Sequence, residues 1–188
     1  MVSEILLYFL CLKKLGKKQR PIHIAAVFVF CYYLIGVLTM TGIGKLHAFS
    51  PRITFIPFLD MISGPVDTLL NIVLFIPLGF FLPLLYKKYQ RVGSVALTGF
   101  LFSMCIEIVQ MFGRGATDVN DLLTNTIGAC LGFFAYRLLF KRTRKELRRK
   151  FQADKISDGA EVLFLAAYAS VIMITIQPLV IHSLFGLG

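Results

Sequence analysis

Five stretches of the chain are apolar over the length that a helix needs to cross a bilayer: residues 22–42, 66–86, 93–112, 119–140 and 160–183. A hydrocarbon core of about 30 Å takes about 20 helical residues. Before the first stretch lies an apolar opening, residues 1–12, which is too short to span. It reads as an amphipathic helix in the interface, anchored by Lys13, Lys14, Lys17 and Lys18. No internal repeat or low-complexity linker stands out. The pattern predicts an all-α polytopic membrane helix bundle. It would form a single membrane domain over residues 1–188, with about five transmembrane helices, the amphipathic N-terminal segment and a basic cytoplasmic segment at 141–158.

Composition agrees and removes the alternatives. The 188 residues are 57% hydrophobic and 16% charged, whereas soluble domains carry about 25% charged residues. Disorder is excluded too, because it needs low hydrophobicity together with high net charge. The formal net charge of +10 raises nucleic-acid binding, but the placement of the charges answers that. Residues 13–20, 87–91 and 141–155, with Arg137, hold seventeen of the Lys and Arg residues. Only Lys45, Arg52 and Arg114 fall on the other side of the spans. Such asymmetry sets orientation, so the basic side reads as cytoplasmic, the N-terminus inside and the C-terminus outside. The basic runs then read as topology determinants and contacts to anionic lipid headgroups, and no nucleic-acid partner is expected. The segment 141–155 reads as a helix on the membrane surface.

Cysteine and histidine add little. Cys11, Cys31, Cys105 and Cys130 lie in apolar runs without metal or disulfide spacing, and read as buried small apolar side chains. His23, His47 and His182 are scattered, and no metal site is expected. No cleaved signal peptide is evident, because no basic residue precedes the run 5–12 and no small-residue cleavage pattern follows it.

Ionisable residues inside spans are expensive and mark candidate functional sites. Here they gather at one level. In the third span Ser103, Glu107, Gln110 and Arg114 are spaced 4, 3 and 4, on one helical face. Glu107 lies roughly 7 Å below the outer end of its helix, where a bare carboxylate must be paired, hydrogen-bonded or protonated. In the fourth span Asp118, Asp121, Asn125, Gly128 and Gly132 share a face, and the two glycines form a G-x-x-x-G that admits a close neighbouring helix. A short outer loop, 113–117, makes the third and fourth spans antiparallel. In the second span Asp67 and Asn71 lie at the same outer end, Pro77 and Pro83 should kink the helix, and Gly79 between them should loosen its packing. Asp67, Asn71, Glu107, Gln110, Arg114, Asp118, Asp121 and Asn125 are therefore the candidate ligand-binding set.

Each member also has a structural reading. Asp118 or Thr117 can cap the fourth helix, and Asp67 and Asp121 can be first-turn acids matched to helix dipoles. Asn71 and Asn125 can be interhelical hydrogen-bond glue, Arg114 a loop charge, and Glu107 and Gln110 part of a structural network.

At these residues the chain resembles the VanZ-like family. The resemblance runs over about residues 53–140, through Asp67, Asn71, Pro77, Gly79 and Pro83, then Ser103, Glu107, Gln110, Arg114, Asp118, Asp121, Asn125, Gly128 and Gly132. The combined pattern is specific, whereas the first and fifth spans and the basic segment are generic. The resemblance implies a small multi-pass protein of the bacterial cytoplasmic membrane. The family's founding member is associated with resistance to teicoplanin, a lipid-tailed glycopeptide that acts on wall precursors outside the cell. No catalytic residues come with the resemblance.

Three functions stay open on the sequence. An outer pocket could bind a lipid-linked ligand, a cell-wall precursor or the lipoglycopeptide itself. Against that stands its net acidity, a poor match to an anion. A membrane enzyme could use Glu107 for acid–base chemistry, or Asp118 and Asp121 to hold a divalent cation, although no nucleophile or metal motif is present and no cofactor is otherwise expected. A flippase or transporter with so few spans would need an oligomer.

Overall fold

The computed structural model describes residues 20–40, 53–54, 65–111, 117–140, 145–152, 162, 164–167 and 169–171. Four long helices dominate: α1 (Pro21–Met40), α2 (Pro65–Leu85), α3 (Val92–Gln110) and α4 (Val119–Phe140). Each is long and apolar enough to cross a membrane, and each coincides closely with an expected span. A single 3-10 turn, Lys87–Tyr89, joins α2 to α3, and a short helix α5 (Lys145–Phe151) lies within the basic segment. Of the fifth expected span, the described residues are helical and bring Val162, Leu165 and Ala169 into the core. The expected interfacial segment 1–12 lies outside the described residues.

The class is all-α, with one small addition. Strand β1 (Ile53–Thr54) pairs in parallel with β2 (Thr117–Asp118), Ile53 opposite Thr117 and Thr54 opposite Asp118. This clip ties the segment after α1 to the start of α4. Two residues carry no readable periodicity, so the sequence pattern did not announce it.

The bundle is arranged as a membrane protein must be. On α4, Leu123, Ile127, Leu131, Phe134 and Leu138 are spaced 4, 4, 3 and 4 and all face outward. Opposite them Asn125, Gly128, Ala129, Gly132, Phe133 and Tyr136 are buried. On α3, Leu97, Phe100, Leu101 and Ile108 face outward, while Ser103 and Glu107 are buried. An apolar exterior around polar interior groups suits lipid, where backbone and side-chain polar atoms must be satisfied within the protein.

The closest contact in the bundle is between α2 and α4. A Cβ added at Gly128 would run into the Ile72 carbonyl, one at Gly132 into the Ile76 carbonyl, and one at Gly79 into the Ala129 carbonyl. Residues 72 and 76 pair in order with 128 and 132, so the two helices run parallel. The G-x-x-x-G thus admits a neighbouring backbone, as expected. Gly79 does the opposite of what its place between two prolines predicted: it tightens the α2–α4 contact instead of loosening it, because it faces the α4 backbone. Helix α2 is continuous through Pro77 and Pro83, although each proline removes one hydrogen bond to a carbonyl four residues back.

Other helices dock by aromatic and polar contacts. Tyr33 of α1 donates to the Leu74 carbonyl of α2 at 2.7 Å, and Phe30 meets Phe81 at 5.6 Å between ring centroids. Helix α3 runs antiparallel to α4: Asn125 reaches Ser103, and a Cβ on Gly99 would stand 2.8 Å from the Ala129 Cβ. The end of α2 is closed by Gln90, whose Nε2 donates to the Pro83 carbonyl at 2.6 Å.

The charged residues separate by end. Arg20 donates to the Arg149 carbonyl, and the buried His23 donates from Nδ1 to the Phe151 carbonyl at 2.7 Å. These bonds join α1 to the C-terminal end of α5, where donors and cations are favoured. Lys87, Lys88, Arg91 and Arg137 lie at the same end of the helices, and Asp67 and Asp121 start α2 and α4 at the other. Cys31 is buried as expected, but Cys105 is exposed on the outer face of α3 and Cys130 is half-buried. Cys105 follows from helical phase: it is two residues from both Ser103 and Glu107, so it points away from their face.

Replacing Gly132 by Ala forces the α2 and α4 backbones apart, and should destabilise the protein by about 1–3 kcal/mol. At Gly36 of α1 an added Cβ meets nothing within 4 Å, so Gly36→Ala should be neutral or stabilise by up to about 1 kcal/mol. Unfolding in detergent measures both. Equal stability of the two variants would contradict the backbone contact.

Candidate functional site

The acid end of the bundle opens into a cavity. Three helices build it. Asp67 sits exposed in the first turn of α2, with Asn71 one turn further in. Asp121 sits in the first turn of α4, with Asn125 one turn further in. Glu107 and Gln110 occupy the last turn of α3, antiparallel to the other two. The cavity measures about 290 Å³ and is lined by these six residues together with Leu70, Leu74 and Ile106.

Two hydrogen bonds hold the polar lining. Asn71 Nδ2 donates to Asp121 Oδ1 at 2.6 Å, tying α2 to α4. Asn125 Nδ2 donates to Ser103 Oγ at 2.9 Å, tying α4 to α3. A carboxylate acceptor makes the first of these the stronger kind. Asn125 is 4% exposed and Glu107 3% exposed, so both are almost closed off from solvent. Asn125 Oδ1 has no hydrogen-bond partner among the described residues. Buried polar atoms are nearly always satisfied, so this acceptor stands out.

The electrostatic balance is acidic. Among the described residues, Asp67, Glu107 and Asp121 line the cavity and no Lys, Arg or His does. The N-terminal dipoles of α2 and α4 each supply roughly +0.5 charge, and Asp67 and Asp121 answer them. Glu107 lies instead in the last turn of α3, at the negative end of that helix's dipole. Among the described residues no group of three His, Cys, Asp or Glu is close enough to share a metal ion.

Six of the eight residues expected from the sequence therefore line one cavity. Arg114 lies outside the described residues. Asp118 is described only in its backbone, as part of β2, so its capping role lies outside what is described. The sequence pattern missed the apolar wall, because Leu70, Leu74 and Ile106 look like any other apolar residues of a span. It also missed the buried Asn120 and Thr124. Thr124 Oγ1 donates to the Asn120 carbonyl at 3.0 Å, a local bond within α4 of the kind that lets Thr sit inside a helix.

Comparison with known proteins now bears on this arrangement. The family model for VanZ/LLP1 matches residues 5–141. The chain belongs to the VanZ/LLP1 family. It is 37% identical over 81 residues to Protein VanZ of Enterococcus faecium, a stretch that covers 42% of this chain and 50% of the relative. The chain thus spans about half the length of the curated relative it matches. No solved structure matches. Membership and the four apolar helices make it a multi-pass membrane protein of the VanZ/LLP1 family.

The Asn71–Asp121 bond should show coupling. In a double-mutant cycle of Asn71→Ala and Asp121→Ala, unfolding in detergent should give about 1–2 kcal/mol of interaction energy, between the average for hydrogen bonds in membranes and that for bonds to charged groups. Strict additivity would contradict the bond.

Proposed function

We propose that this VanZ/LLP1 protein lies in the bacterial cytoplasmic membrane with its basic end inside and its cavity open to the outer surface. There it lowers susceptibility to teicoplanin-type lipoglycopeptides by holding a lipid-linked ligand. That ligand would be a cell-wall precursor or the antibiotic. The observation that carries this reading is the cavity: six polar residues from three helices converge at the end opposite the basic residues. The excess of Lys and Arg at the other end supports the orientation, and family membership supports the link to glycopeptides.

A second reading is supported by one observation. Glu107 and Asp121 line the same cavity, so acid–base chemistry on a lipid-linked precursor, by hydrolysis or group transfer, fits the same place. Mass spectrometry of envelope lipids and precursors, with and without expression, separates the two: a new species supports the enzyme, and an unchanged set supports the binder.

Cells expressing Glu107→Gln, Arg114→Ala or Asp121→Asn at wild-type levels should lose most of the protection against teicoplanin that the unaltered protein gives. Full protection by both Glu107→Gln and Asp121→Asn would overturn the role of the cavity.

A further inference from the structure

We propose that the cavity recognises a primary ammonium group, so that its ligand is an amine-bearing molecule at the membrane surface. This rests on the reading of the cavity as a ligand site and adds the chemical class that it selects. The inference comes from an inventory of donors and acceptors. The two asparagine amide nitrogens of the lining are already engaged with neighbours, Asn71 Nδ2 with Asp121 and Asn125 Nδ2 with Ser103. One buried atom of the lining without a hydrogen-bond partner among the described residues is an acceptor, Asn125 Oδ1. Beside it stand the carboxylates of Asp67, Glu107 and Asp121, with no basic side chain among the described residues of the lining. Such a wall asks for donors and for positive charge.

An organic ammonium fits better than a bare metal ion. Divalent cations of the Ca²⁺ type need six to eight oxygens gathered at about 2.3–2.6 Å, and no three acidic, His or Cys side chains gather that closely among the described residues. The cavity is also far larger than an ion, and Leu70, Leu74 and Ile106 give it an apolar side. A volume of about 290 Å³ sits at the lower end for small-molecule sites. It holds a headgroup-sized fragment such as an aminoalkyl group, whose methylenes face the leucines and whose three N–H donors reach Asn125 Oδ1 and two carboxylates.

The amine can belong to a lipid headgroup or to a soluble peptide, and the test separates these sources. The purified full-length chain in detergent is titrated with dioctanoyl-phosphatidylethanolamine and with a lysine-bearing tetrapeptide amide, each beside its N-acetylated counterpart. At least one free amine should bind tenfold or more tightly than its acetylated form. Asp67→Asn, an isosteric change at the exposed mouth, should remove most of that preference, and so should Asn125→Leu where it folds. Selective binding of the lipid alone assigns the amine to a headgroup, and of the peptide alone to a soluble ligand; both support the proposal. Equal binding of acetylated and free forms, no saturable binding of either amine, or a preference unchanged in Asp67→Asn would overturn it. If susceptibility to teicoplanin still depends on the cavity residues in that case, the protective role stands and only the selection for an amine falls.

Discussion

In a bilayer, apolar side chains gain nothing from leaving lipid for one another, so close helix association rests on backbone approach and interhelical hydrogen bonds. The parallel contact of α2 with α4 supplies both. Gly79, Gly128 and Gly132 bring the two backbones to the point where no Cβ fits. At the acid end of the same pair, Asn71 donates to Asp121. The rest of the site depends on this pair. It fixes the distance between the first turns of α2 and α4, and α3 lays Glu107 and Gln110 across the gap through Ser103 and Asn125. Any side chain at Gly132 would widen the gap and shift the cavity wall with it.

The contact also explains why the polar residues can be there. Buried Glu and Asn side chains in lipid are tolerated where they meet one another, water or a cavity. Here they meet both partners and a cavity, at the end of the bundle nearest the interface. The opposite end is organised differently. Arg20 and His23 bond the last carbonyls of α5, and Lys87, Lys88 and Arg91 fall where α2 turns into α3. One end is thus a basic, hydrogen-bonded platform, and the other is an acid-lined opening.

Much of this was legible in the sequence because two periodicities carry it. The 3.6-residue period and the length of apolar runs gave the four long helices to within two residues, and the 3–4 spacing of Asp67 and Asn71, of Glu107 and Gln110, and of Asp121 and Asn125 put each pair on one face, the face that lines the cavity. Positive charge gave the two ends. What stayed hidden depends on the third dimension. The role of Gly79 turns on which helix it faces, and proximity to Pro77 and Pro83 pointed the wrong way. The β1–β2 clip is too short to have a period. The outward turn of Cys105 is a matter of helical phase, which composition cannot give. The internal use of both amide nitrogens, with Asn125 Oδ1 left over, requires the actual pairing of Ser103 with Asn125.

The outward orientation of the acid-lined cavity is a proposal. It is tested by labelling single cysteines with a membrane-impermeant thiol reagent, in a background lacking Cys11, Cys31, Cys105 and Cys130. Asp67→Cys, at the exposed mouth of the cavity, should be labelled in intact cells. Lys88→Cys, exposed at the basic end, should be labelled only after the membrane is permeabilised. Labelling of Lys88→Cys in intact cells, with Asp67→Cys protected until permeabilisation, would contradict the account.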